Sequence, residues 1–297
     1  MINRREFMAL ASLPLLARSL PSLAAPDGGM FVCMHEITSI NFDFKTAMEG
    51  YARAGIRAVE PDLGKVREYA AKESPARARQ LLENLGLKAV SCSNQLFLEE
   101  SGPRRAAALE DLKWKVELAE AIGADRMVTP SAASDPHKIA DYEQVIANLR
   151  EAADIARPHG VTLMLEFTRL STLVNNLRTA LKVVREANHP NLRVMLDTFH
   201  FWSGMSKFED LELLRDGELH HLHFEDIPGD QPLELFSQQS RVFPGEGITP
   251  LRRIVEVLQR KGYRGPASLE LFDPAVQAAD PYAVAMRARQ TIEPLIS

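Results

Sequence analysis

Eight short apolar runs, each followed by a longer stretch of helical spacing, restrict this chain to very few architectures. The runs are 31–34, 58–60, 88–92, 126–129, 162–166, 193–197, 219–224 and 267–271. Most are continuously apolar, as in strands buried on both faces. Between them, apolar residues recur at helical intervals, for example Leu112, Val116, Leu118, Ala121 and Ile122, or Leu251, Ile254, Val255 and Leu258. Gly55, Gly86, Gly123, Gly160 and Gly262 stand where a helix C-cap calls for positive φ. Eight βα units with no linker or shift in composition predict one (β/α)₈ barrel, a TIM barrel of the α/β class, over residues 26–297. A doubly wound open sheet is the competing architecture. It would gather acidic residues near one switch point, whereas here they are dispersed over many strand ends. No Gly-x-Gly-x-x-Gly or Walker-type loop follows any run, so no nucleotide site is implied.

The chain has 297 residues, 45% of them hydrophobic, which suffices for a large core. Net charge is −5 and the 35 Lys and Arg are spread without a basic tract, which speaks against a nucleic-acid partner. Cys33 and Cys92, the two cysteines, lie in apolar strand-like runs and read as buried thiols, with a disulfide the alternative. Residues 1–25 read as a separate object: Arg4-Arg5 precede a short apolar run and small residues follow at Ser22-Leu23-Ala24. That order is the order of a signal peptide, and the arginine pair resembles a twin-arginine signal. The expectation is therefore export by the twin-arginine translocation machinery to the periplasm. Pro14, Arg18 and Pro21 interrupt the run, which falls short of the roughly 20 apolar residues of a membrane span. No other segment qualifies.

Four of the runs end in metal-binding side chains: Glu166, Asp197, His223 and Glu270. A carboxylate at the end of an apolar run is costly unless something positive meets it. In a parallel barrel all C-terminal strand ends share one rim, so these four become neighbours. Three carboxylates and one imidazole suit one divalent cation, Mn²⁺ first, with Mg²⁺, Co²⁺ or Zn²⁺ as alternatives. His221 and His223 share a strand face; His223, nearer the rim, is the better ligand and His221 the supporting residue. His35, Glu36 and Glu60 also follow strands and are candidates for the pocket, with a plain salt-bridge role the equal alternative for Glu60. Phe201 and Trp202 suit core packing or the apolar face of a sugar ring. The 226–247 connection is long and reads as a lid.

Glu166 within Leu-Glu-Phe, Asp197-Thr198-Phe199-His200-Phe201, His223-Phe224-Glu225-Asp226, Arg241-Val242-Phe243-Pro244-Gly245-Glu246-Gly247 and Glu270-Leu271-Phe272 resemble the sugar isomerase/epimerase family of xylose isomerase-like barrels. Within it the likeness runs to the 2-keto-myo-inositol isomerase and inosose dehydratase branch. The resemblance extends from His35-Glu36-Ile37-Thr38 through Ser93-Asn94 to the last helix. It implies that Glu166, Asp197, His223 and Glu270 hold the metal and that Glu166 and Glu270 are the catalytic proton-transfer pair. It further implies that His200 and Arg241 bind substrate oxygens. Glu36 and Glu60 are taken as further substrate-binding candidates. Pro61-Asp62 and Thr168-Arg169 depart from the family's pattern.

The implied activity is isomerisation or epimerisation of a keto-sugar or keto-cyclitol through a metal-stabilised enediolate. A dehydratase or 3-keto-glycoside lyase on the same scaffold is one alternative, and a noncatalytic periplasmic sugar-binding protein another. An endonuclease of the related barrels would need more histidine ligands and a basic surface. Family members are often dimers or tetramers, so a homo-oligomer is an expectation.

Overall fold

All eight expected strands form in the computed structural model, which describes residues 28–297. They are β1 Phe31–His35, β2 Ala58–Glu60, β3 Lys88–Ala89, β4 Arg126–Pro130, β5 Thr162–Glu166, β6 Leu192–Asp197, β7 Leu219–His223 and β8 Pro266–Leu269. Every pairing is parallel, in the order β3-β2-β1-β8-β7-β6-β5-β4. Past the end of β3 the chain turns to β4, where Val128 N–H donates to Cys92 C=O at 2.7 Å and Asn94 N–H to Val128 C=O at 2.8 Å. The sheet thus curls round on itself as a barrel. The expected export segment, residues 1–25, lies outside the described residues.

The β3 ladder is shorter than the 88–92 expected. Its neighbour β2 runs into Pro61, which has no N–H to extend the pairing. Side chains alternate between the barrel interior and the helices. Leu163, Leu165, Val194, Leu196, Leu222, Ala267 and Leu269 join the large core beneath the helices. Val128, Met164 and Met195 pack together in a separate cluster, as do Cys33, Ala58 and Val90. These two sets have interior parity. Two residues beyond Cys33, Ala58, Met164 and Met195 come His35, Glu60, Glu166 and Asp197, which therefore also face inward.

Helices cover the outside, among them Phe44–Arg53, Pro103–Ile122, Ile139–Ala156, Leu177–Ala187, Leu251–Arg260 and Pro281–Ile296. Asp43, Asp62, Ser74 and Asn176 cap helix starts by accepting from backbone N–H groups three residues on. The five glycines expected at helix ends all have φ between +68° and +89°. Cys33 and Cys92 are buried free thiols. Among the described residues, no helix is long and apolar enough to cross a membrane.

Candidate metal centre

His223 is the hub of the site. Its Nδ1 lies 3.4 Å from Glu270 Oε2, 3.7 Å from Glu166 Oε1 and 3.9 Å from Asp197 Oδ2. The four sequence-predicted ligands are thus brought together at the C-terminal ends of β5 to β8, all of them buried. Bonds of about 2.1 Å at tetrahedral to octahedral angles place ligand atoms roughly 3.0–3.4 Å apart. The tightest groupings here are Glu166, Asp197 and His200 on one side and His35, His223 and Glu270 on the other. His223 Nδ1 has no hydrogen-bond partner, and Asp197 Oδ2 has no aligned hydrogen bond. Buried polar atoms left this way, in an oxygen-rich set with one imidazole, fit a hard or borderline divalent ion.

The charges are strongly coupled. Burial pushes the Glu166 carboxyl up to about 7; His223 opposes that rise, while Asp197 and Glu270 add to it. Burial also opposes ionisation of Glu270, but His223 and Arg241 outweigh it and hold this carboxyl well below its ordinary value. Asp197 is likewise lowered, burial being overcome by Arg241 and His200. His223 is raised well above the usual histidine value: burial disfavours its charge, but Glu270 and Glu60 outweigh burial. A metal would therefore have to displace a proton from His223.

Arg241 reaches into this cluster from the long loop after β7. Its Nη2 lies 2.9 Å from Asp197 Oδ2, its Nη1 contacts Glu270 Oε2, and Glu225 Oε1 is 3.6 Å away. Phe199 and Phe272 flank the guanidinium at 4.8 and 5.1 Å from their ring centres. Asp226 positions the loop. Its Oδ1 accepts from the N–H groups of Ile227 and Thr249, and its Oδ2 from those of Gly245 and Gly247. A Cβ on Gly247 would lie 2.0 Å from Ile227 C=O, so only glycine fits there.

Two further histidines, His35 and His200, border the centre. His35 Nδ1 accepts from Ile37 N–H at 3.0 Å, which leaves the proton on Nε2, 3.7 Å from Glu270 Oε1. His200 Nδ1 lies 3.2 Å from Arg169 N–H, and its Nε2 lies 3.3 Å from Arg241 Nη2 and 4.0 Å from Asp197 Oδ2. Burial keeps His200 neutral by lowering its pKa to about 4, Asp197 opposing and Arg241 assisting. The Arg169 guanidinium bonds the carbonyls of Ser203, Leu233 and Phe236, tying three rim segments together.

Two substrate-binding expectations need correction. Glu60 is fully enclosed, accepts from His221 Nε2 at 2.5 Å and lies 3.3 Å from His223 Nε2, so its partners are imidazoles of the barrel interior. Glu36 is also fully buried, and its Oε2 accepts from Asp62 N–H at 2.8 Å. Glu60 is the last residue of β2, and Glu36 opens the short helical turn after β1. His221 supports Glu60, in keeping with the supporting place expected of it. Phe201 is core, and Trp202 packs with Phe199, Ile227 and Phe236.

Glu225 went unrecognised as a site residue. It is buried against Asp197 and Arg241, accepts from Phe199 N–H at 3.1 Å, and is raised well above its ordinary value by burial and by Asp197. Its signal was parity: His221, His223 and Glu225 alternate along one strand direction.

Comparison with known proteins accords with this geometry. The chain is 26% identical over 253 residues to the inosose isomerase of Halalkalibacterium halodurans, covering 82% of this chain and 89% of that protein. It is 30% identical over 242 residues to the 3-dehydroshikimate dehydratase of Pseudomonas aeruginosa, covering 78% of this chain but 36% of that larger protein. A crystal structure of the IOLI protein with a bound zinc atom superposes with a TM-score of 0.83 at 24% identity, over 90% of this chain and 98% of that one. These relatives are named for enzymes, and the present chain is an enzyme of the isomerase or dehydratase kind. The sequence pattern of one family matches residues 49–292, and with that match the chain belongs to the xylose isomerase-like TIM barrels.

Proposed function

We propose that this enzyme is a metal-dependent isomerase or epimerase acting on a keto-sugar or keto-cyclitol. The observation that carries the reading is the pair Glu166 and Glu270, on β5 and at the end of β8, which both approach His223 Nδ1 and have carboxyls pushed in opposite directions. Carboxyl groups separated in this manner divide acid and base roles. Glu166, Asp197, His223 and Glu270 would hold one divalent ion, with Mn²⁺ proposed. When bound, the ion would act as a Lewis acid on a carbonyl and its neighbouring hydroxyl, making the α-proton easier to remove.

The remaining work belongs to the chain. Glu270, held ionised, accepts the α-proton, and Glu166, with its raised carboxyl, delivers one. Delivery to the neighbouring carbon isomerises; delivery to the opposite face epimerises. The Arg241 guanidinium is the donor that orients substrate oxygens, with the His200 imidazole beside it. The loop stapled by Asp226 carries Arg241 to the cluster.

A second reading, elimination of a β-hydroxyl from the same deprotonated substrate, is favoured by the 30% identity to a dehydratase. One experiment addresses both. Keto-sugars and inososes are incubated with the protein and Mn²⁺ in D₂O, and products are read by NMR and mass spectrometry. Deuterium uptake without an unsaturated product supports isomerisation or epimerisation, and an unsaturated product supports elimination. Absence of exchange across the panel, with metal bound, would overturn the proton-transfer reading. Export of the folded protein, inferred from Arg4-Arg5, is tested by cell fractionation.

A further inference from the structure

Behind the hub lie two buried groups that the proposed reaction does not use, Glu60 and His221. Glu60 receives His221 Nε2 at 2.5 Å through Oε1, and His223 Nε2 lies 3.3 Å from Oε1 and 3.5 Å from Oε2. Exposure is 0% for Glu60 and His221 and 1% for His223. The two imidazoles meet edge to face, with ring centres 5.4 Å apart. His35 stacks edge-on against His223 from the other side at 5.5 Å.

We propose that Glu60 is a positioning residue for the metal centre, holding the His223 imidazole so that Nδ1 faces the three carboxylates. The inference rests on the metal reading above. A half-turn of the imidazole about its Cβ–Cγ bond puts the carbon Cδ2 where Nδ1 was and takes Nε2 away from Glu60. A carboxylate that accepts the Nε2 proton favours one orientation and leaves the Nδ1 lone pair for the ion. His221 keeps the carboxylate in place, since its Nε2–H donates to the same group. Strand parity explains why the parts meet. Glu60 ends β2 and His221 and His223 lie on β7, all with interior parity, so they converge across the barrel axis.

A competing use of these groups is a second ion, because Glu60, His221 and His223 offer atoms within 4.8 Å of one another. His221 Nε2 lies within hydrogen-bond distance of Glu60 Oε1. In the proposal Glu60 accepts N–H groups, and the number of ions bound per chain distinguishes that role from ligation.

The test is calorimetric titration of the metal-free protein with Mn²⁺, for the natural sequence and for Glu60→Gln. A glutamine keeps the shape but cannot accept from both imidazoles as a carboxylate does. Mn²⁺ binding is expected to weaken roughly 10–100-fold at unchanged stoichiometry of one ion, while Glu60→Asp recovers part of the affinity. In the zinc-loaded natural protein, ¹⁵N-histidine NMR should show His223 ligated through Nδ1 with a protected proton on Nε2. Should Glu60→Gln not fold, His221→Asn loosens the carboxylate and is expected to weaken Mn²⁺ binding in the same direction. Equal affinity in the folded variants, ligation through Nε2, or two ions per chain would each overturn the proposal while leaving the four-ligand centre standing. Failure of the natural protein to bind Mn²⁺ or Zn²⁺ at all removes that centre, and Glu60 with it.

Discussion

Arg241 and Asp197 form an ion pair sealed from solvent, with Nη2 2.9 Å from Oδ2 and side-chain exposures of 1% and 0%. The same guanidinium contacts Glu270 and lies 3.6 Å from Glu225, so one permanent cation serves three acids. Substrate binding had been the role expected for Arg241. The pair gives it a second one, which is to keep the cluster compatible with burial.

Removing that cation should therefore cost stability as well as affinity. Arg241→Ala leaves buried carboxylates without a partner, a change that typically costs about 3–5 kcal/mol. Added Mn²⁺ should restore much of the loss, because an ion bound to Asp197 and Glu270 supplies the missing charge. Thermal melting with and without Mn²⁺ checks this. An unchanged melting temperature in metal-free Arg241→Ala would contradict the compensating role.

Glu166→Gln and Glu270→Gln should each lower kcat/KM by roughly 10²–10⁴-fold through lost proton transfer, with weakened metal binding adding to the loss. Solvent deuterium exchange into substrate should fall in parallel. Metal saturation separates the contributions: whatever deficit persists at saturating Mn²⁺ belongs to the proton step. Near-normal exchange by either variant would remove that residue from the proposed pair.

The reason so much of the barrel was legible in the sequence is local. Continuous apolar runs and glycine-terminated helices are set by neighbours along the chain, and all eight strands form where expected. The four ligands were legible because each is the last inward residue of its strand. What could not be read was direction beyond parity. Glu60 shares interior parity with Glu166, yet it is claimed by His221 across the barrel, a contact 161 residues distant in sequence. Glu36 is turned away by the backbone of Asp62, which only the short β2 places within reach. Glu225 was open to the same alternation that picked out His221 and His223.

Asp226 accepts four backbone N–H groups, and none of these donors has another carboxylate to turn to. Asp226→Ala should cost about 1–3 kcal/mol for the stranded donors. The loss should be local to the loop, with amide exchange accelerating at Gly245, Gly247 and Thr249. Because Arg241 is carried by this loop, KM should rise even where the metal still binds. Hydrogen-exchange mass spectrometry over residues 241–249 gives the reading, and unaltered protection there would show that the loop is held by other contacts.

Glu36 provides the pH dependence that can be isolated most cleanly. It is fully buried, Oε1 has no partner, and burial pushes its carboxyl from 4.5 up to about 8, against the opposing hydrogen bond from Asp62 N–H. Below the unfolded value near 4.5 both states carry the proton, and the stability of the neutral buried group is present in full. Between pH 4.5 and 8 the unfolded chain releases the proton while the folded chain keeps it, so this contribution falls with rising pH. Each unit of that interval corresponds to about 1.4 kcal/mol at most. Above pH 8 both states are ionised and the loss levels off. Glu36→Gln keeps an oxygen for Asp62 N–H and has no proton to lose. Chemical denaturation across this range should find the variant matching the natural protein at low pH and gaining on it up to pH 8, with a constant gap beyond. Subtracting the two curves cancels the titrations of Glu225 and the metal-site carboxyls, which are common to both. A flat difference curve would mean that Glu36 is ionised in the folded protein throughout, held by a cation rather than by burial as a neutral acid.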